Sequence, residues 1–140
     1  MRLTVSGMIA GTLLAAACGQ SAEVSLNETC NSVMADPQVS SDITRAGLSV
    51  DSYCDCATSV LLALPETERA AAISSFQLIN TVMAEHDGDA EAAFEAIRNQ
   101  ARADAATYEA RVAYQNLDQL GDQLDDLLDE LEEADGVCPA

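Results

Sequence analysis

The cysteines are the residues of this sequence whose chemistry is most varied, and they number five: Cys18, Cys30, Cys54, Cys56 and Cys138. A cysteine can form a structural disulfide, exchange disulfides, bind a metal ion or carry a lipid. Cys54 and Cys56 lie in a segment of helical composition, where side chains at i and i+2 point to different sides. A bond between them would need the helix to open. The spacing therefore predicts structural disulfides from each of them to a different partner, with both assignments to Cys30 and Cys138 open.

A thiol-disulfide or metal-handling role for the Cys54-x-Cys56 pair is the alternative. A disulfide that closes so short a loop is strained and strongly oxidising. However, no basic residue adjoins the pair to stabilise a thiolate, and the carboxylate of Asp55 destabilises one. The one histidine of the chain, His86, is distant in sequence. We therefore expect no cofactor, no metal ligands and no catalytic residue, and an enzyme is less expected than a binding protein.

Residues 1–17 have the pattern of a bacterial export signal. A single arginine, Arg2, precedes a mostly apolar run from Leu3 to Leu14, and three small residues follow it. The run is shorter than the ~20 residues that a helix needs to cross a bilayer. We expect a cleaved signal peptide rather than a transmembrane span.

The residues around Cys18 favour a lipoprotein signal over an ordinary secretory signal. Leu-Ala-Ala-Ala-Cys-Gly at residues 14–19 resembles the lipobox of bacterial lipoproteins, with Ala15 where that family usually has leucine. The resemblance implies that the Cys18 thiol is acylated after removal of residues 1–17, and that residues 18–24 are the lipid anchor and a short linker. Ordinary signal cleavage competes, because the small residues also fit its A-x-A pattern. Acylation would leave four cysteines, which can pair in an oxidising compartment.

The same resemblance implies a location in the bacterial cell envelope, with the acylated Cys18 inserted in the lipid bilayer. In enteric lipoproteins an aspartate after the lipidated cysteine retains the protein in the inner membrane. Gly19 occupies that position here, so we expect the outer membrane, with the domain facing the periplasm. Murein-type lipoproteins join a C-terminal lysine to peptidoglycan. That attachment is excluded because the chain has no lysine.

The charge balance excludes other functions. The chain has 24 acidic residues against six basic ones, all arginine, and a net charge of -18. Such a surface repels phosphate backbones and anionic headgroups, so no nucleic-acid partner is expected. The chain has three Tyr, two Phe and no Trp, which argues against a large pocket lined with aromatic rings.

The mature sequence predicts a single all-α domain over residues 25–140, because apolar spacing and caps of the helical type recur through it. Residues 36–48 are expected to form a loop or one helical turn. The predicted helices are 26–35, 50–63, 65–86 and a long C-terminal helix at 90–134. The turn at Gly88 favours an antiparallel helical hairpin stapled by disulfides. The alternative is a small, compact bundle in which the long helix breaks near 114–121.

The C-terminal helix carries leucines at alternating spacings of three and four, namely Leu117, Leu120, Leu124, Leu127 and Leu131. This spacing is typical of a coiled-coil seam, and nine acids and no base lie between Asp118 and Asp135. We predict that the five leucines dock a partner helix or a second copy, and that the acids select a basic partner. A solvated helix face is the simpler interpretation of the acids. The predicted function is a membrane-anchored periplasmic lipoprotein with a binding or scaffolding role.

Overall fold

A computed structural model describes residues 22–139 of the chain, and this part is all helical, as predicted. The predicted signal peptide and the lipidation site Cys18 lie outside the described residues. Within them the helices are α1 (Ala22–Met34), α2 (Pro37–Arg45), α3 (Val50–Ala63), α4 (Glu66–Glu85), α5 (Ala90–Arg102) and α6 (Tyr108–Glu133). Helix α1 begins inside the segment expected to be a linker. No helix of residues 22–139 is long and apolar enough to cross a membrane.

Side-chain caps account for the start of several helices. Ser49 accepts a hydrogen bond from the backbone N–H of Ser52 at the start of α3, and Asp89 accepts one from Ala92 at the start of α5. Oxygen acceptors at this position satisfy backbone donors that the first helical turn leaves unpaired. Both helix starts agree with the expected boundaries, and the four residues between α4 and α5 contain the turn at Gly88.

The expectation that residues 36–48 form a loop or one helical turn is wrong, because they contain more than two turns of helix. Asp36 accepts a hydrogen bond from the backbone N–H of Gln38, and Pro37 occupies the first position of α2, a helix of nine residues. Proline suits that position because it has no N–H to leave unpaired there. The Asp-Pro pair therefore starts a second helix as well as ending the first.

The single helix expected over residues 90–134 is two helices. Helix α5 ends at Arg102, where Ala103 adopts an extended backbone, and Thr107 caps α6 by accepting a hydrogen bond from the N–H of Ala110. The break expected near residues 114–121 is misplaced, since that segment lies inside α6. The compact bundle replaces the long hairpin, because α6 turns back and packs against α4 as well as α5.

Two disulfides staple the bundle. Cys30 of α1 is bonded to Cys54 of α3 with a Cα–Cα distance of 5.7 Å, and Cys56 is bonded to Cys138 of the C-terminal segment with a Cα–Cα distance of 5.6 Å. Because the two neighbouring cysteines project from different sides of α3, they reach different partners. This confirms the predicted disulfides and selects one of the two open pairings.

Candidate functional site

The cysteines carry no free thiol among the described residues. Cys54 and Cys56 are both buried, and each is bonded to a different cysteine. Disulfide exchange or metal binding by the Cys54-x-Cys56 pair would first require reduction of a structural bridge. No group of three or more metal-ligating side chains lies close together within residues 22–139. The bonded cysteines therefore stabilise the fold, and a ligand site in residues 22–139 must be formed by other side chains.

The five leucines predicted to bind a partner lie in the core of this chain. Their exposed fractions run from 2% to 9%, and they are Leu117, Leu120, Leu124, Leu127 and Leu131. Helix α6 packs with this side against α3, α4 and α5, so the seam is already occupied. A partner helix could reach all five only if α6 left the bundle, which corrects the predicted docking surface.

An apolar cleft lies beside this seam, between α2, α5 and α6. Its volume is about 450 Å³, within the range of about 300–1,000 Å³ usual for small-molecule sites. The buried side chains of Ile43, Phe76 and Ile79 lie among its lining residues, and three of the five leucines, Leu117, Leu120 and Leu124, line it too. The cleft exists because α2 packs on α1 and α3 and leaves a gap towards α6.

Three exposed carboxylates from three helices line this cleft: Asp42 of α2, Glu91 of α5 and Asp125 of α6. No arginine or histidine is among its lining residues in the described part of the chain. Asp42 is paired with Arg45 at 2.6 Å, and both residues also line the groove that continues between α2 and α6. Asp125 has neither a hydrogen bond nor an ion pair within residues 22–139. The cleft therefore combines an apolar interior with a negative mouth.

The carboxylate of Asp125 is in an unfavourable position for its charge. Partial burial raises its pKa above the ordinary value for aspartate, and the nearby charges of Asp122, Asp129, Asp42 and Asp126 raise it further. Three of these neighbours share α6, and Asp42 faces Asp125 from α2. Helix α6 thus carries at the cleft a carboxylate that a cation would stabilise.

Tyr53 connects the floor of the cleft to α6. Its buried hydroxyl donates a hydrogen bond to the carbonyl oxygen of Leu124 at 2.8 Å. Burial, followed by the charge of Asp125, raises the pKa of this phenol well above its usual range. The hydroxyl therefore stays protonated and holds α3 against α6, which keeps the floor of the cleft in place.

Asp36 connects two walls of the cleft. One carboxylate oxygen accepts from the N–H of Gln38 at 2.7 Å and the other from the N–H of Ala90 at 2.9 Å. The bonds from Ala90 and Gln38 hold the pKa of Asp36 below its ordinary value. One side chain thus caps α2 and joins it to the first residue of α5.

Gly121 has no side chain at the point where α6 borders the cleft. A Cβ atom at this position would meet nothing within 4 Å, and the residue lines the cleft. The sequence indicates only a weak point in a helix here. Sequence reasoning also missed Asp42 and Glu91, because their role depends on how α2 and α5 are placed beside α6.

No known protein family, curated protein or solved structure matches the chain. The candidate site therefore rests on the geometry of the cleft and on the charges around it.

Proposed function

We propose that this protein is a lipid-anchored binding protein of the bacterial cell envelope, whose helical domain takes an apolar ligand into the cleft between α2, α5 and α6. The observation that carries the proposal is the cleft of about 450 Å³ lined by apolar side chains from every helix. In the unfilled cleft, the partly buried apolar side chains of Val39, Phe94 and Leu128 remain in contact with water. A ligand that covered them would gain roughly 25 cal/mol for each Å² of apolar surface removed from water.

The anchor in this proposal is the acylated Cys18 of the lipobox-like segment at residues 14–19. An outer-membrane location facing the periplasm is proposed from Gly19. The two disulfides support an oxidising compartment, where such bonds form and persist. The net charge of -18 opposes contact with anionic headgroups, so in this proposal the acyl chains alone hold the domain at the membrane.

A scaffolding role through the outer face of α6 is a second candidate. The exposed acids of this helix form none of the ion pairs seen within residues 22–139, which are Arg45–Asp42 and Arg98–Glu95. Unpaired acids on one face would suit a basic partner protein. Crosslinking in intact cells tests this candidate: capture of one specific basic protein supports it, and capture that survives reversal of the α6 charges contradicts it.

Binding in the cleft is tested with N-phenyl-1-naphthylamine, an uncharged probe that fluoresces in apolar surroundings. The protein is the expected mature chain, residues 18–140 with Cys18→Ser, which is not acylated and lacks the apolar signal segment that could itself bind the probe. We expect saturable 1:1 binding to this chain. Gly121→Leu places a large side chain in the cleft and should weaken binding at least about tenfold, the effect of losing 1.4 kcal/mol. Equal binding by this variant would contradict the proposal.

The matched control is Gln115→Leu, which adds leucine at an exposed position of the same helix away from the cleft. It should bind the probe as the parent chain does. Far-UV circular dichroism shows whether each variant keeps its helices. The anchor is tested by the mass of the membrane-extracted native protein: a mass that begins at Cys18 with attached acyl chains supports it, and an unmodified Cys18 contradicts it.

A further inference from the structure

We propose that the ligand of the cleft is a cationic amphiphile, a molecule with one ammonium group and an apolar body, whose cation is held at the mouth by Asp125. The inference rests on the proposed binding function and adds the chemical class of the ligand. It is carried by the placement of three carboxylates around an apolar cleft that no basic side chain lines among the described residues.

The three carboxylates differ in how far their charges are already balanced. Asp42 has Arg45 as a partner at 2.6 Å. Glu91 lies in the first turn of α5, where the positive end of the helix dipole stabilises a negative charge. Asp125 lies well inside α6, far from either end of the helix, and it has no cationic partner within residues 22–139. Asp125 is therefore the carboxylate that gains most from a bound cation.

The neighbours of Asp125 strengthen this preference. Asp122 and Asp129 lie one turn before and one turn after it on α6, and Asp42 faces it from α2; these charges and partial burial raise the pKa of Asp125. Among the residues that the structure describes, Arg45 is the one basic residue that lines the neighbouring groove between α2 and α6, and it is already paired with Asp42. A cation at the mouth would offset repulsion that the fold leaves uncompensated.

The apolar interior decides between an amphiphile and a simple ion. Val39, Phe94 and Leu128 are apolar side chains of the cleft that the fold buries only partly, and a metal ion would leave them in contact with water. An anionic amphiphile would cover them but would meet the carboxylates with a like charge. A neutral one would gain only the apolar contact. An ammonium group with an apolar body matches both parts of the cleft.

The experiment compares three probes with the same eight-carbon body: octylammonium, octanol and octanoate. Each of the three displaces N-phenyl-1-naphthylamine from residues 18–140 carrying Cys18→Ser, and each is used below the concentration at which it forms micelles itself. We expect octylammonium to bind about tenfold more tightly than octanol, the order of a hydrogen bond to a charged group, and octanoate to bind most weakly. Equal affinity of octylammonium and octanol would overturn the inference.

Two variants assign the preference to its residue. Asp125→Asn should lower the ratio of the octylammonium affinity to the octanol affinity to about one. Asp118→Asn is the matched control, because it removes the same charge from an exposed position of α6 outside the cleft, and it should keep the advantage. An equal loss in both variants would overturn the inference, because it would show a diffuse field rather than a site.

The outcomes separate this inference from the function on which it rests. If octanol binds and Gly121→Leu abolishes its binding, but octylammonium has no advantage, the cleft is a binding site and the charge inference alone fails. If no probe binds, or if Gly121→Leu changes nothing, the proposed function fails. Added salt tests the electrostatic contribution without a substitution. We expect 0.5 M NaCl to weaken the binding of octylammonium and to leave the binding of octanol unchanged. An equal effect on both affinities would count against the inference.

Discussion

Removal of the disulfides one at a time tests how the two bridges stabilise the bundle. The variants are Cys30→Ala with Cys54→Ala, and Cys56→Ala with Cys138→Ala. The two bridges close consecutive loops that do not overlap, with sequence separations of 24 and 82 residues. Because neither loop contains the other, each bridge restricts a different part of the unfolded chain. We therefore expect their contributions to the free energy of unfolding to be independent.

The loop lengths set the entropic part of each contribution. Closing the shorter loop, with a separation of 24 residues, restricts the unfolded chain by about 3.5 kcal/mol, and closing the longer one, with a separation of 82, by about 4.5 kcal/mol. The burial of the cysteines favours a larger loss of stability for the shorter loop, opposite to the difference in loop-closure entropy. Cys30 and Cys54 are 1% and 0% exposed, whereas in the other pair Cys56 is buried at 5% and Cys138 is exposed. Replacing the first pair by alanine therefore leaves one more void in the core than replacing the second pair. A small buried void adds about 1 kcal/mol, so the two losses should be nearly equal.

The assay is urea unfolding of the chain with Cys18→Ser, followed by far-UV circular dichroism. Each double variant should lose about 5 kcal/mol, and the four-alanine variant should lose about twice that, a large part of the 5–15 kcal/mol typical of a domain. The unaltered chain with reductant should behave as the four-alanine variant does. A loss below about 1 kcal/mol for the Cys56 and Cys138 variant, or losses that do not add, would refute the reasoning from separate loops.

Other predictions concern single residues of the cleft. Gly121→Ala should stabilise the protein by about 1 kcal/mol, since alanine favours a helix and its Cβ meets no atom; an unchanged or lower midpoint of urea unfolding would contradict this. Asp36→Ala should lower the free energy of unfolding by about 1–2 kcal/mol, because the cap of α2 is lost. The pKa of Asp36 is lowered in the folded protein, so its stabilising effect is present above the ordinary aspartate pKa and is lost as the pH falls through the pKa of the folded state. The stabilities of the parent and the variant should therefore converge in acid. Asp125→Asn should have the opposite sign. The pKa of Asp125 is raised, so its charge destabilises the fold at neutral pH; the variant should be more stable there by about 0.5 kcal/mol, and a gain that persisted below the ordinary aspartate pKa would contradict this cause.

Local signals in the sequence were sufficient for much of the secondary structure. Ser49 and Asp89 are strong caps, and Gly88 supplies the positive φ that the turn after α4 needs. These signals act over a few residues, so they can be read without the rest of the fold. The heptad of leucines likewise identified the buried face of α6. It did not identify what covers that face, because a seam that docks a partner and one that packs into its own chain have the same spacing.

The sequence by itself determined the all-α class of the described domain, the use of four cysteines in two disulfides, and the excess of acidic charge. The tertiary structure alone decided where the C-terminal helix breaks, since the alanines near residues 103–106 give no contrast between apolar and polar faces. It also selected Cys30 as the partner of Cys54, because that choice depends on how α1 packs beside α3. The cleft is the clearest case. Asp42, Glu91 and Asp125 are far apart in sequence, and only the packing of α2, α5 and α6 brings their charges around one apolar space.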